Sequence, residues 1–135
     1  MPKGHSYYNL YFHIVWHTKN NYPYLTEDVL KYIDKLSRRI CRQQSCEVLE
    51  LNGTEDHLHL LIRCSKWISI PDLMCAIKGK SSYEISRQEG CNLFWQSGYA
   101  LFSVSEKDMP NVRKYILNQK HHHDDWPRAI ARGKE

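Results

Sequence analysis

Two histidines separated by one leucine are the first residues in this sequence with an evident capacity for chemistry. His57 and His59 lie in HLHLLIRC, residues 57–64, where alternating apolar residues are typical of a β-strand with one buried face. Side chains at positions i and i+2 of a strand point the same way, roughly 7 Å apart. Two imidazoles at that separation can converge on one divalent metal ion, whose other ligands must come from elsewhere. Polar residues on a solvated sheet face would give the same pattern.

A tyrosine and a glutamine closer to the C-terminus could complete such a site. Tyr115 and Gln119 are four residues apart in a predicted helix, which puts both on one face, about 6 Å apart along the axis. A tyrosine that attacks a phosphodiester yields a covalent phosphotyrosine and a free hydroxyl. Mg²⁺ or Mn²⁺ held by two imidazoles and an amide would polarise that phosphate. A half-buried tyrosine beside a surface amide is the structural alternative.

Further residues could contact a nucleic-acid substrate or support the site. Lysines and serines bind phosphates, and aromatic side chains stack on bases. The candidates for DNA contacts are Lys78, Lys80, Ser81, Ser82 and Trp95. These residues could instead form a solvated helix face and a tryptophan packed under the sheet. His13 and His17 could neighbour the site, whereas the histidines at 121–123 diverge by about 100° each and are expected at a solvated helix end.

Alternation and helical spacing predict the elements that must position these residues. Thr26 and Ser69 are plausible N-caps, and the segment 105–108 resembles a capping box. The predicted strands cover 7–18, 46–52, 57–63 and 99–105, and the predicted helices cover 27–43, roughly 70–88, and a last segment to about 122.

The element order β-α-β-β-α-β-α predicts an α+β fold. Its first six elements match the ferredoxin-like, RRM-like pattern, in which an antiparallel sheet carries two helices on one face. The other face of such a sheet often binds a ligand, frequently nucleic acid. We expect the last helix, which carries the tyrosine, to cover part of this face.

The composition predicts one cytoplasmic globular domain over residues 1–135. The chain has a net charge of +4 and five cysteines in no C-x-x-C pair, which argues against a disulfide framework or a zinc cluster. The sequence has neither the apolar core of a signal peptide nor a membrane-length run of about 18 apolar residues. The mildly basic charge permits a phosphate-rich partner without requiring one.

Four segments occur in an order that points to a known family. GTEDHLHLL, IKGKSS, WQSGYALFSVS and VRKYILNQKHH resemble the motifs of the single-tyrosine transposases of small bacterial and archaeal insertion sequences. These are HUH enzymes, named for His-hydrophobic-His, and the resemblance covers about residues 5–123. The family often has two glycines before the acidic-His segment, where this chain has Asn52 and Gly53. That difference concerns the geometry of the turn.

The resemblance implies a role for each candidate catalytic residue. His57 and His59 would bind the catalytic Mg²⁺ or Mn²⁺, Gln119 would be the third ligand, and Tyr115 would be the nucleophile. The substrate would be single-stranded DNA with hairpins at the ends of the element. Cleavage would leave a 5′-phosphotyrosine and a free 3′-hydroxyl that attacks the other junction. The family forms dimers, so the tyrosine helix of one chain could complete the histidine pair of the other.

Three other functions remain open from sequence. The chain could be a nucleic-acid binding module without catalysis, although such a module would need none of the four catalytic candidates. It could be a domesticated transposase acting on chromosomal palindromic repeats. An unrelated metallohydrolase would need a carboxylate near the histidines, and Asp56 should point away from His57 if the strand is already regular there.

Overall fold

The computed structural model describes residues 6–119, and they fold as an antiparallel sheet with helices on both faces. The strand order is β2-β3-β1-β4, and every neighbouring pair is antiparallel. The elements in chain order are β1 Leu10–His17, α1 Glu27–Gln43, β2 Glu47–Gly53, β3 His57–Cys64, α2 Ile70–Ser86, β4 Ala100–Val104 and α3 Met109–Leu117, with a short 3₁₀ turn at Lys19–Asn21. This order confirms the predicted α+β fold.

Side-chain caps fix where α1 and α2 begin. The Thr26 hydroxyl accepts a hydrogen bond from the Val29 amide at 3.3 Å, and the Ser69 hydroxyl accepts one from the Asp72 amide at 3.3 Å. The Ser105 hydroxyl accepts one from the Asp108 amide at 3.1 Å, just before α3. The predicted N-caps Thr26 and Ser69 are therefore confirmed. The last helix was predicted to continue to about residue 122, and this is wrong, because α3 ends at Leu117 with Asn118 as its C-cap.

The two faces of the sheet bury different kinds of side chain. One face packs under α1 and α2 in an apolar core that includes Ile14, Trp16, Leu58, Leu60, Ile62, Ile33, Leu36, Leu73 and Ile77. The residues that alternate with these on β1 and β3 point to the opposite face. They include four buried histidines, His13, His17, His57 and His59, and α3 lies on this side against β2 and β3.

Candidate active site

The strand register gathers four imidazoles on the face that α3 covers. In the ladder between β1 and β3, His17 lies opposite His57 and Val15 lies opposite His59. The rings of His57 and His59 are 5.4 Å apart, and His57 and His59 are only 4% and 0% exposed. The histidine pair therefore does not lie on a solvated sheet face, which was the structural alternative from sequence.

The imidazole of His57 is held from behind by a carboxylate. Its Nδ1 lies 2.8 Å from the Asp56 carboxylate and 2.8 Å from the Thr54 hydroxyl. An ionised carboxylate only accepts, so Nδ1 carries the proton and Nε2 keeps its lone pair. The hydrogen bond from His57 lowers the pKa of Asp56, which keeps the carboxylate ionised. Asp56 was expected to point away from His57 only if the strand were already regular there; Asp56 precedes β3 in a bend, so that condition is not met.

The imidazole of His59 is held by a second histidine. His59 Nδ1 and His13 Nε2 are 2.8 Å apart, and the two rings stack with centroids 5.0 Å apart. Burial lowers the pKa of His13 to about 4 and that of His59 to about 2, because a desolvated imidazole resists protonation. Both rings are therefore neutral near pH 7, as a metal-binding imidazole must be.

The lowered pKa values of His13 and His59 predict that the metal-free protein loses stability in mild acid. Their folded pKa values lie below the ordinary 6.5, so below about pH 6.5 the unfolded chain binds more protons than the folded chain. The free energy of unfolding should fall as the pH drops from about 6.5 to about 4, by about 1.4 kcal/mol per pH unit for each histidine. Urea unfolding in buffers with a chelator measures this slope, which His13→Gln should make shallower. A stability independent of pH in this range would contradict neutral burial.

The tyrosine and the glutamine reach this pair from α3 of the same chain. The ring of Tyr115 meets that of His59 edge-on at 5.7 Å, and the Tyr115 hydroxyl is buried. Gln119, just beyond α3, is fully buried, and its amide nitrogen lies 3.4 Å from His57 Nε2. Four residues predicted to act together therefore lie together within one chain, although the resemblance had suggested that a partner's helix could complete the pair.

The donors at this point suit a divalent cation. Nε2 of His57 faces the Gln119 side chain, whose buried oxygen accepts no hydrogen bond from residues 6–119. Within the same residues no three histidine, cysteine or carboxylate side chains are grouped to hold a metal ion. A cation beside His57 and His59 would therefore use the Gln119 amide as its third protein ligand, and water or phosphate oxygens for the rest.

An asparagine on β2 ties α3 to the sheet. The side-chain amide of Asn52 donates to the carbonyl oxygens of Ile116 at 3.1 Å and Leu117 at 3.0 Å, both in the last turn of the helix. Asn52 lies opposite His59 in the ladder between β2 and β3. The sequence drew attention to Asn52 only as a difference in the turn, and no pattern in the sequence marks it as an anchor.

The glycine after this asparagine is required for a different reason. A Cβ atom on Gly53 would lie 2.2 Å from the carbonyl oxygen of His57, closer than any real contact. Any side chain at Gly53 would therefore push apart the turn between β2 and β3 that delivers His57. Position 52 has room for a side chain, and in this chain the side chain of Asn52 anchors α3.

Removing the anchor should loosen α3 while the sheet stays folded. Asn52→Ala deletes two hydrogen bonds worth about 0.5–1.5 kcal/mol each, so we expect the amides of residues 115–117 to exchange with solvent roughly 5- to 160-fold faster. Hydrogen exchange followed by mass spectrometry or NMR measures this. Asn111→Ala, an exposed residue on the same helix, is the matched control. Equal exchange in the two variants would show that Asn52 does not hold the helix.

Three of the five candidate DNA contacts hold a loop against α2. The Lys78 ammonium donates to the carbonyl oxygens of Gln96 at 2.8 Å and Gly98 at 2.9 Å, and partial burial lowers its pKa. The indole of Trp95 donates to the Ser81 hydroxyl at 3.0 Å. Lys78 and Ser81 belong to α2, which packs on the opposite face of the sheet from the histidine pair, and Trp95 packs against the apolar core. A DNA contact by these residues stays a prediction.

The other two candidates, Lys80 and Ser82, make no hydrogen bond within residues 6–119 to the loop that Lys78 holds. Lys80 is exposed, and the Ser82 hydroxyl donates to the Gly79 carbonyl of its own helix at 3.2 Å. Their contacts with DNA also stay predictions.

Comparison with known proteins identifies the family. The family described as "Transposase IS200 like" matches residues 6–119. The ISDra2 transposase TnpA of Deinococcus radiodurans is 31% identical over 128 residues, which span 88% of this chain and 91% of the relative. The transposase of insertion sequence IS200 from Salmonella typhimurium is 26% identical over 86% of this chain and 80% of its own length.

Two solved structures have the same fold. A Deinococcus radiodurans crystal structure described as a transposase superposes with a TM-score of 0.66 at 30% identity, over 88% of this chain and 98% of the other. A REP-associated tyrosine transposase bound to a REP hairpin gives a TM-score of 0.65 at 19% identity, over 100% of this chain and 88% of the other; at that identity the likeness shows the fold alone. No helix within residues 6–119 is long and apolar enough to cross a membrane. The chain belongs to the IS200-like transposase family.

Proposed function

We propose that this transposase is a metal-dependent endonuclease and strand transferase that acts on single-stranded DNA through a phosphotyrosine intermediate. The observation that carries the proposal is the convergence of Tyr115 and Gln119 on the buried pair His57 and His59. A transposase cleaves and rejoins DNA, and these four side chains hold the nucleophile and the ligands that such a reaction needs. A protein that only bound DNA would need none of them.

His57, His59 and Gln119 would hold Mg²⁺ or Mn²⁺. A divalent cation in this position polarises the phosphate to be cleaved and stabilises the charge that develops on it. Asp56 keeps the proton of His57 on Nδ1, which leaves Nε2 as the donor atom. A half-turn of the Gln119 amide would exchange its nitrogen and oxygen and direct the oxygen towards His57 Nε2.

Tyr115 would supply the nucleophile. Its oxygen forms a bond to phosphorus, the bond to the 3′ oxygen breaks, the tyrosine proton leaves to water, and the 3′ oxygen takes up a proton. A 3′-hydroxyl then attacks the phosphotyrosine in the reverse sense and releases Tyr115. Each step exchanges one phosphate ester for another, so no nucleotide triphosphate is consumed. The hydroxyl of Tyr115 is buried between α3 and the sheet. DNA would therefore reach it only after α3 moves away from the sheet.

The substrate would be single-stranded DNA that forms hairpins at insertion-sequence ends. A solved protein with this fold holds a REP hairpin, which supports a folded single strand as the ligand. We also propose a homodimer, as the resemblance implies for the family, and a location in the cytoplasm. The whole of residues 1–135 would act as one domain.

A cleavage assay on a labelled single strand tests the proposal. The native chain is mixed with DNA from the flanks of its own gene that contains a palindrome, with Mg²⁺ or with a chelator. We expect a covalent protein–DNA adduct and a free 3′ end only with the metal. Binding without cleavage under both conditions would favour a nucleic-acid binding module, and cleavage without any adduct would favour a metallohydrolase.

The two lysines of α2 should respond differently to alanine. Lys78→Ala removes two charge-assisted hydrogen bonds to the loop and should lower the free energy of unfolding by about 1.5–3 kcal/mol. Lys80→Ala should change stability by less than about 0.5 kcal/mol, but should reduce the salt dependence of hairpin binding by about one charge. Urea unfolding and binding at several salt concentrations measure the two effects. Equal stability of the variants would contradict the structural role of Lys78.

A further inference from the structure

We propose that His13 is a positioning residue that holds His59 in the tautomer able to bind metal through Nε2. This inference rests on the proposed function, because it concerns the same cation. His13 comes from β1, and its Nε2 lies 2.8 Å from His59 Nδ1 with both side chains buried. The separation is that of a hydrogen bond, and in such a bond one nitrogen must donate and the other must accept.

Only one of the two ways to share the proton leaves His59 able to bind a cation. If His59 Nδ1 donates to His13 Nε2, the lone pair of His59 lies on Nε2 and can bind metal. If His13 Nε2 donates instead, a neutral His59 carries its proton on Nε2 and has no lone pair to offer there. The metal-bound protein therefore needs a neutral His13 with its proton on Nδ1.

The two halves of the histidine pair are thus controlled differently. The partner of His57 is the Asp56 carboxylate, which can only accept and fixes the tautomer by itself. The partner of His59 is an imidazole, which can donate or accept, so metal binding and the tautomer of His13 are linked. His13 is packed between His59 and the ring of Phe102, 5.9 Å away on β4, which keeps it aligned for this bond.

Mn²⁺ affinity measured by calorimetry tests the proposal without reference to catalysis. His13→Phe keeps a ring in the same space but removes the acceptor, and we expect roughly 10- to 100-fold weaker binding. His13→Gln restores an acceptor oxygen and should recover most of the affinity. Val15→Ala is the matched control. Val15 lies on β1, as His13 does, and it is a buried apolar residue that pairs with His59 of β3. Native affinity in His13→Phe would overturn the inference.

NMR of the native chain gives a second test in case His13→Phe does not fold. Nitrogen-15 shifts of labelled histidines report which ring nitrogen carries the proton. In the Mg²⁺-bound protein we expect His59 protonated on Nδ1 and His13 protonated on Nδ1, with His13 Nε2 accepting. A metal-bound His59 with no proton on Nδ1 would overturn the inference.

The outcomes separate this inference from the proposed function. If the native chain binds no Mn²⁺ and His59→Ala changes nothing, the proposed metal site itself is wrong. If the native chain binds Mn²⁺, His59→Ala abolishes binding and His13→Phe binds as tightly as the native chain, the metal site stands and only the role of His13 fails.

Discussion

Replacing Tyr115 with phenylalanine is expected to abolish the covalent protein–DNA adduct while hairpin binding persists. The change removes one oxygen and keeps the ring, so the edge-on contact with His59 at 5.7 Å is retained and the chain should fold normally. If Tyr115 is the nucleophile, as proposed, no phosphotyrosine can form in this variant, and cleavage should fall to the uncatalysed level. The adduct is measured with labelled single-stranded DNA on a denaturing gel, and binding is measured separately by fluorescence anisotropy.

A second tyrosine provides the control for this change. Tyr11→Phe makes the same chemical change at a buried tyrosine on β1, and adduct formation should stay at the native level. An adduct that persists in Tyr115→Phe would show that the nucleophile is another residue.

The Tyr115 variant also tells which chain supplies the helix to a site. In a mixed dimer of Tyr115→Phe and His57→Ala chains, neither chain has a complete site of its own. If each helix stays over the sheet of its own chain, as α3 does here, the mixture should form no adduct. Restored activity would mean that helices are exchanged between chains, which would require the bonds from Asn52 to α3 to break.

The sequence predicted the elements best where local signals and long-range pairing agreed. Helix α1 occupies Glu27–Gln43, as predicted, because a side-chain cap and regular apolar spacing define it. The first strand was predicted from residue 7 but begins at Leu10, since β3 ends at Cys64, which pairs with Leu10. A strand continues only as far as its neighbour does, and a single sequence does not reveal that limit.

The candidate site was predictable in its residues more than in its supports. The types and spacings of His57, His59, Tyr115 and Gln119 marked them as candidates, and the structure brings the four side chains together. The contact between His13 and His59 depends on the register of β1 against β3, and the anchoring by Asn52 depends on where α3 docks. Neither the contact between His13 and His59 nor the anchoring by Asn52 gives a recognisable pattern in the local sequence. Lys78 also has a role that its sequence context does not reveal, because its ammonium donates to two carbonyl oxygens of a neighbouring loop; its contact with DNA stays a prediction.

Alanine at either histidine of the pair should remove metal-dependent cleavage, with unequal effects on the rest of the site. Loss of one of the three proposed protein ligands should lower the cleavage rate by roughly 10²- to 10⁴-fold at fixed Mg²⁺, because a bound cation would supply several kcal/mol of stabilisation to the charged phosphate. Addition of a chelator to the native chain should reproduce this loss. Rates of adduct formation across a Mg²⁺ titration measure it, with circular dichroism to confirm that each variant folds.

His57→Ala and His59→Ala should differ in which neighbouring side chain loses a hydrogen-bond partner. His57→Ala deprives Asp56 of its hydrogen bond, so the pKa of that carboxyl should return towards its usual value. His59→Ala leaves Asp56 unchanged and instead removes the partner of His13. His17→Gln is the control, since His17 packs against His57 at 5.6 Å and is not a predicted ligand; its Mg²⁺ dependence should match that of the native chain. If both alanine variants cleaved DNA with the native Mg²⁺ dependence, the cation would have to bind elsewhere, and the buried pair would serve only to pack α3 on the sheet.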